Sequence, residues 1–578
     1  MSFIDWALVL VINLGIVAYG FVLVRGVRKS FDWFVAAKTL PWWAIGFSAF
    51  ATAVDSGDYT SVAGAAYRQG ISQFTQWWVG IAIGWFVMAF FVVTVLYRAG
   101  FFTNAEWLEF RFGPATRVLA VLVNIITRAN VTGNIYFSMH LVLSIIAGFD
   151  MTASYGVVFA TYVLTCVYLV RGGLKSGVMT DVLQSLAMIV GAVVLFAAAF
   201  PALGGWEGIT AKLAALNQAN SAVPGPNVML HVGGYAPGGT PATMVVFALI
   251  ISLTSYAVIN QYEAIRFLGA RSEWDFRMAA LVAATATAIC VGFNVMIGPM
   301  ARTQFPTLQI VDQAYPLMVK QYLAPGLVGI VVAGIVAAGF STFDSIGIGI
   351  SSLFVRDIYA RFIVRNREDA HYTQVGRISV PIILALGFLF LPILHNPAVG
   401  GMFNFYLGLV GALVVPLMTV ILAGMFTRLH REVGLTGMIV GMVYGMLAYA
   451  ADAQKWGWPE WLAGSWWRYF WNIALPLIAM SAHSSYLDRV KGRMKANDLR
   501  GLIYSGNDEV REDLKPLIAA RLAAVRGTWL EKTIMESPGK PKFPFAVSEA
   551  GLPWYMRPGL LAILYLAVFG FLLLVIFW

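Results

Sequence analysis

Residues 41–67 read PWWAIGFSAFATAVDSGDYTSVAGAAY. The stretch is long enough to cross a bilayer, which takes about 20 mostly apolar residues. Its centre, residues 53–60, carries Asp55, Ser56, Gly57, Asp58 and Thr60. Charge at the bilayer centre is costly and marks function by default. This centre is poor material for a continuous membrane helix. It suits a broken helix, whose unwound middle frees carbonyl and N–H groups to hold ions and a solute. Transporters place such breaks at the membrane midplane. A polar kink packed against its neighbours is the alternative, and two aspartates within four residues argue against it.

The rest of the chain supports a membrane setting. Of 578 residues, 59% are hydrophobic and 12% charged, with a mean hydropathy of +0.74. A soluble domain carries about 25% charged residues, so a soluble enzyme, a nucleic-acid binder and a disordered protein are excluded. Fourteen apolar stretches are expected to span, at 5–25, 41–68, 76–97, 116–147, 152–170, 177–203, 242–266, 276–300, 324–353, 375–395, 402–426, 432–451, 466–486 and 557–577. The fold class is therefore an all-α polytopic membrane helix bundle. Arg25, Arg28 and Lys29 follow the first apolar run instead of preceding it, so that run is not a cleavable signal peptide. Basic residues collect on cytoplasmic loops, which places the N-terminus outside. Of the 39 basic residues, Arg68, Lys212, Arg302, Lys320, Lys455 and Arg468 fall outside, Arg128 falls within the membrane, and the others fall inside. The net charge of +10 is thus a topology signal and calls for no nucleic-acid partner. Cys166 and Cys290 lie in apolar runs and offer no disulfide framework.

Three divisions follow: a transporter bundle over 1–486, a cytoplasmic segment over 487–556 and a C-terminal transmembrane helix over 557–578. The segment 487–556 holds twelve Lys and Arg, a mixed-charge stretch from Asp508 to Arg526, and Pro538, Pro541 and Pro544. It is too short for a nucleotide-binding domain. The Gly- and Pro-rich loop 204–241 is expected outside, as a flap over an entrance or as a loose surface loop.

Further polar residues sit inside apolar runs. Asn124, Arg128 and Thr132 share one face of the fourth span by their i, i+4, i+8 spacing. Lipid cannot satisfy that face, so it points into the bundle. There Arg128 contacts a solute or an aspartate of the broken helix, or forms a fixed structural ion pair. In the ninth span, Ser341 and Thr342 stand among small residues. Their hydroxyls suit a hard cation, which prefers oxygen ligands, although Ser and Thr also serve plain helix packing. Asp181 lies one turn into the sixth span, as a cation relay or an interfacial residue.

WFVAAKTLPWWAIGFSAFATAVDSGDY (33–59), FFTNAEWLEFRFGPATR (101–117), RGGLKSGVMTDVLQ (171–184), INQYEAIRFLGAR (259–271) and AAGFSTFDSIGIGISSLFVRDIY (337–359) together resemble the sodium/solute symporter family of proline- and glucose-type carriers. The resemblance implies a LeuT-type core of two inverted five-helix repeats, about 41–203 and 242–451, each opening with a broken helix. It implies a sodium site between spans 2 and 9, formed by the carbonyls of Ala53, Ser56 and Ala338 and the hydroxyls of Ser341 and Thr342. Asp181 would lie near the cytoplasmic exit of that site, and Tyr256 matches an aromatic inner gate. Glu263 departs from the family pattern, which is usually uncharged there.

The sequence reading is a secondary-active, sodium-coupled importer of a small polar solute in the plasma (inner) membrane. No cofactor is expected beyond sodium as coupling ion, and the partners are the solute, sodium and the lipid bilayer. Proton coupling through Asp55 or Asp58 and a transporter-like sensor are the alternatives. An enzyme is not expected, since no H-E-x-x-H motif and no nucleophile–base pair appear. The solute seat is expected to use Asp55, Asp58, Arg128, Thr132 and Tyr256. On charge, a carboxylate meeting Arg128 and the positive end of the broken helix is the favoured solute.

Overall fold

The computed structural model describes residues 1–23, 40–99, 101, 103–396, 401–490, 499, 501–504 and 551–578, without the side chains of residues 21, 23, 168, 170–176 and 369. The basic residues at 25–38, the side chains of Arg171 and Lys175, and most of 487–556 lie outside the described residues.

The described residues form helices, turns and one isolated bridge between Leu40 and Ala270. Eleven helices among them are long and apolar enough to cross a membrane. The other three expected spans take different forms. Span 41–68 is two helices, Trp42–Ala53 and Ser56–Gln69. Span 152–170 does not end at a loop: one helical run, Met151–Ala202, holds it together with span 177–203. The last is Trp467–Val490, too polar in composition to join the eleven. Length and apolarity alone therefore do not give the expected count of fourteen.

The break after Ala53 has a local cause. Val54 and Asp55 are extended, and Asp55 caps the second helix. Its carboxylate accepts from the Asp58 N–H at 3.1 Å, and the Asp58 carboxylate accepts from the Asp55 N–H at 2.9 Å. Such a reciprocal capping box satisfies two helix-end donors at once, so the sequence D-S-G-D restarts a helix in mid-membrane. A second interruption falls at extended Asn260, between Ala242–Ile259 and Gln261–Leu268.

The two halves of the first broken helix are packed against Glu273–Gln304 and Leu327–Leu353. A Cβ on Gly349 would lie 2.2 Å from the Tyr262 Cβ, so glycine is what lets Leu327–Leu353 approach Gln261–Leu268 this closely.

Apart from the buried charges near the helix breaks, two groups of charged residues stand out. At one end, Arg98 pairs with Glu273 at 2.6 Å, Arg117 with Asp357 at 2.5 Å, and Arg361 with Glu109 at 2.7 Å. The Trp107 indole donates to the Leu502 carbonyl there, and the Tyr504 N–H to the Met425 carbonyl. These are loops expected inside. At the other end, Arg68, Lys455 and Arg468 border a cavity of about 540 Å³ together with Asp452 and Tyr235. Tyr235 comes from the loop 204–241, which holds the helix Gly205–Ala219 and bonds through the Val232 N–H to the Phe577 carbonyl at 2.6 Å. That loop therefore carries a helix, is bonded to the C-terminal helix and borders this cavity through Tyr235, so it is not a loose surface loop.

Candidate functional site

The first half of the broken helix ends with carbonyls that have no next turn to bond. Two of them meet hydroxyls from Leu327–Leu353. Ser341 Oγ lies 2.5 Å from the Ala51 carbonyl and 2.9 Å from the Ala338 carbonyl, and Thr342 Oγ1 lies 3.3 Å from the Thr52 carbonyl. Ser341 has one hydroxyl proton, so three oxygens converge on a single hydrogen. Oxygen is the ligand type that hard cations take.

A buried polar chain continues from it. Ser345 Oγ lies 2.8 Å from Thr52 Oγ1 and 2.6 Å from the Ser341 carbonyl. Arg266 donates to Ser345 Oγ, to Ser48 Oγ at 2.6 Å and to the Tyr262 carbonyl at 2.7 Å. It also pairs with Asp181 at 3.2 Å, and Ser48 Oγ donates to the same Asp181 oxygen. Arg266 and Asp181 are both fully buried. The pair is stabilising only because hydrogen bonds accompany it.

The other side of the break opens on a small cavity of about 30 Å³, room for one or two waters. Asp55, Gly57, Asp58 and Ser61 form one wall; Gln76, Trp77 and Asn134 form a second; Tyr256, Phe403 and Tyr406 close it. Thr75–Gly80 is a π-helical turn, a local rewinding frequent at functional sites, and it carries Gln76 and Trp77. Among the described residues, neither polar atom of the buried Gln76 amide has a partner, nor do Trp77 Nε1, Asn134 Oδ1 and Tyr406 Oη. Native buried polar groups are rarely left this way. Here several such groups border one cavity.

Arg128 is fully buried, and its guanidinium lies 4.6 Å from the Tyr256 ring centroid and 5.3 Å from that of Tyr262. It donates to Tyr262 Oη at 3.1 Å, which is in turn 2.5 Å from Tyr256 Oη. Arg128 is not part of the cavity lining.

The family model for the sodium:solute symporter family matches residues 33–441. The chain belongs to that family. This sodium:solute symporter is 27% identical over 476 residues to a sodium/glucose cotransporter 4 of Danio rerio, covering 75% of this chain and 70% of that one. It is 27% identical over 454 residues to a sodium/myo-inositol cotransporter 2 of Sus scrofa, covering 73% and 65%. Among solved structures, a Na+-coupled sialic acid symporter in a substrate-bound outward-open state matches with a TM-score of 0.68 at 19% identity, covering 84% of this chain and 98% of that one. The LeuT-type all-α bundle expected from the sequence is the fold of this symporter. Its relatives are transporters and not enzymes.

Within the symporter, the expected sodium residues divide. Ala338, Ser341 and Thr342 come together, with the carbonyls of Ala51 and Thr52. Ala53 instead borders the cavity. The Ser56 carbonyl accepts from Ser138 Oγ at 2.5 Å. The helix ends one residue before the extended Val54, so the carbonyls presented to Ser341 and Thr342 come from slightly earlier in the chain. Asp181 is tied to Arg266. Of the expected solute residues, Asp55, Asp58 and Tyr256 line the cavity. Arg128 and Thr132 do not; Thr132 Oγ1 bonds the Arg128 carbonyl of its own helix, and its side chain packs on Gly387. Glu263 is buried and accepts from the Trp85 indole at 2.6 Å. Gln76, Trp77, Asn134 and Tyr406 were not expected. Amides alone in apolar runs were the available signal for Gln76 and Asn134.

Proposed function

We propose that this symporter couples sodium entry to uptake of a small polar solute by alternating access, with the two ligands on opposite sides of the Val54–Asp55 break. The observation that carries the reading is the cluster of Ala51, Ala338 and Ser341 oxygens sharing one proton. Sodium would sit there with Thr342 and Thr52 completing the shell, and Asp181 would assist its release toward the cytoplasm. Solute would occupy the cavity between Asp58, Gln76 and Asn134. At about 30 Å³ the cavity admits a solute only when its walls part, which is what alternating access requires. Tyr256 forms the inner wall that would move.

The carboxylate expectation rested on Arg128 reaching the solute. Arg128 is engaged with Tyr256 and Tyr262, and the helix N-terminus is already occupied by the chain's own Asp55 and Asp58. Arg128 does not border the cavity, so the carboxylate expectation lacks its cation there. The orientation we favour puts the N-terminus outside, so a cysteine at Ser221 reacts with impermeant thiol reagents in intact cells and one at Ser505 does not. The coupling is tested by solute uptake into proteoliposomes under an imposed sodium gradient. Sodium-driven accumulation supports it; accumulation driven by a pH gradient and indifferent to sodium favours proton coupling instead. Solute binding without any accumulation favours a sensor.

A further inference from the structure

The relatives' names point to neutral polyols, but the lining of this cavity has a different chemistry. Among the described residues, its only ionisable side chains apart from tyrosine are Asp55 and Asp58, and no Lys, Arg or His borders it. Each carboxylate spends one oxygen in the capping box, Asp55 Oδ1 and Asp58 Oδ2. The second oxygen of each is outside that ring of bonds. Asp58 is the less enclosed of the two. The remaining wall is aromatic, with Trp77, Tyr256, Phe403 and Tyr406, and Gln76 adds a buried amide with no protein partner.

The charge balance points the same way. On the two interrupted helices and bonded to them, Asp55, Asp181 and Glu263 are buried and Asp58 nearly so, against Arg128 and Arg266. Four acids face two bases. Arg266 answers Asp181. The acids that line the cavity are Asp55 and Asp58. Buried charge is tolerated when paired; a charged nitrogen brings its charge to the carboxylates, with hydrogen-bond donors where it carries hydrogens, and is attracted to aromatic faces. A carboxylate solute would meet two fixed carboxylates, and a polyol would bring no charge to answer them.

We propose that the solute seat takes a small organic cation, whose ammonium nitrogen rests against Asp58 and Asp55 inside the aromatic wall of Trp77, Tyr256, Phe403 and Tyr406. This rests on the symporter reading above, and the test separates the two. The purified full-length protein is heated in sodium or potassium buffer with ethanolamine, choline, glucose, myo-inositol or lactate, and the same compounds compete in sodium-driven uptake. The expected result is a rise of a few degrees in melting midpoint with ethanolamine or choline in sodium only. The Asp58→Asn protein then loses at least tenfold in apparent amine affinity while keeping the shift given by sodium alone, and Asp58→Glu retains amine binding. Stabilisation by glucose, myo-inositol or lactate with both amines silent overturns the cation assignment and leaves the symporter reading standing. Silence of both amines while sodium alone stabilises the protein overturns it as well. Absence of any sodium effect, in melting and in uptake, removes the symporter reading itself. The wild-type panel decides without either variant, so a folding defect in one of them does not blur the outcome.

Discussion

On the two sides of one helix break, this chain treats its polar groups in opposite ways. Upstream, Ser341, Thr342, Ser345, Thr52, Ser48 and Arg266 bond to one another and to helix-end carbonyls. Downstream, the Gln76 amide, Trp77 Nε1 and Asn134 Oδ1 have no protein partner. The difference matches the ligands the two sides would take. A dehydrated monovalent ion needs several oxygens already held in place, and the web of short bonds holds them. An organic solute needs donors and acceptors kept free, and the cavity keeps them free at a cost to stability. Buried unpaired polar groups cost about 1–3 kcal/mol each.

That contrast is open to breakage first at Arg266. Arg266→Met removes its donors from Ser48, Ser345 and Asp181 and leaves Asp181 buried without a counter-charge. The expected loss is about 3–5 kcal/mol of stability, read as a lowered melting midpoint or denaturant midpoint. Adding Asp181→Asn should recover part of it, because the orphaned charge is gone; a simple sum of the two losses would mean the residues do not act as a pair.

On the cavity side the sign reverses. Gln76→Leu removes a buried amide with no partner, so stability stays level or rises by about 1 kcal/mol. Solute affinity should fall by roughly tenfold, the worth of about one hydrogen bond. A variant that loses stability and keeps solute affinity would show that Gln76 is structural, and the two sides would no longer differ.

Arg128 should give the smallest effect. Arg128→Lys keeps the charge against the Tyr256 and Tyr262 rings but loses the planar guanidinium. Because Arg128 does not border the cavity, half-saturation for solute should change by less than about threefold, an effect worth under 1 kcal/mol. A large loss confined to carboxylate solutes would return Arg128 to the solute seat.

Much of this was legible in the sequence where residue type decides the structure. The D-S-G-D run in an apolar stretch marks the break, and S-T in a small-residue helix marks the hydroxyl partners. Tyr256, expected from the resemblance as an aromatic gate, lines the cavity. What could not be read were directions. Which carbonyls face Ser341 depends on where the first helix ends, a property of backbone dihedrals at Val54 and Asp55 and not of Ala51 or Ala53 as residues. Arg128 shares a helix face with Thr132, but a face does not say which neighbour it meets, and here the partners are two tyrosines. Gln76 and Trp77 ride on a π-helical turn that shifts side chains away from the 3.6-residue rhythm on which sequence reasoning relies. The Asp55–Asp58 capping box had its pattern in plain view, an acid followed three residues later by another. Recognising it would have filled the helix N-terminus with the chain's own charges and removed the case for an anionic solute.

The central claim is that sodium sits upstream of the break and solute downstream of it. Equilibrium binding of radiolabelled sodium to the purified protein tests it most directly, comparing wild type, the Ser341→Ala/Thr342→Ala double variant and Asp58→Asn. The expected result is saturable sodium binding in the wild type, at least tenfold weaker in the double variant, since each charge-assisted contact is worth about 1.5–3 kcal/mol, and within about twofold of wild type in Asp58→Asn, a change of less than 1 kcal/mol. Unchanged sodium affinity in the double variant, or its loss in Asp58→Asn alone, would contradict the account.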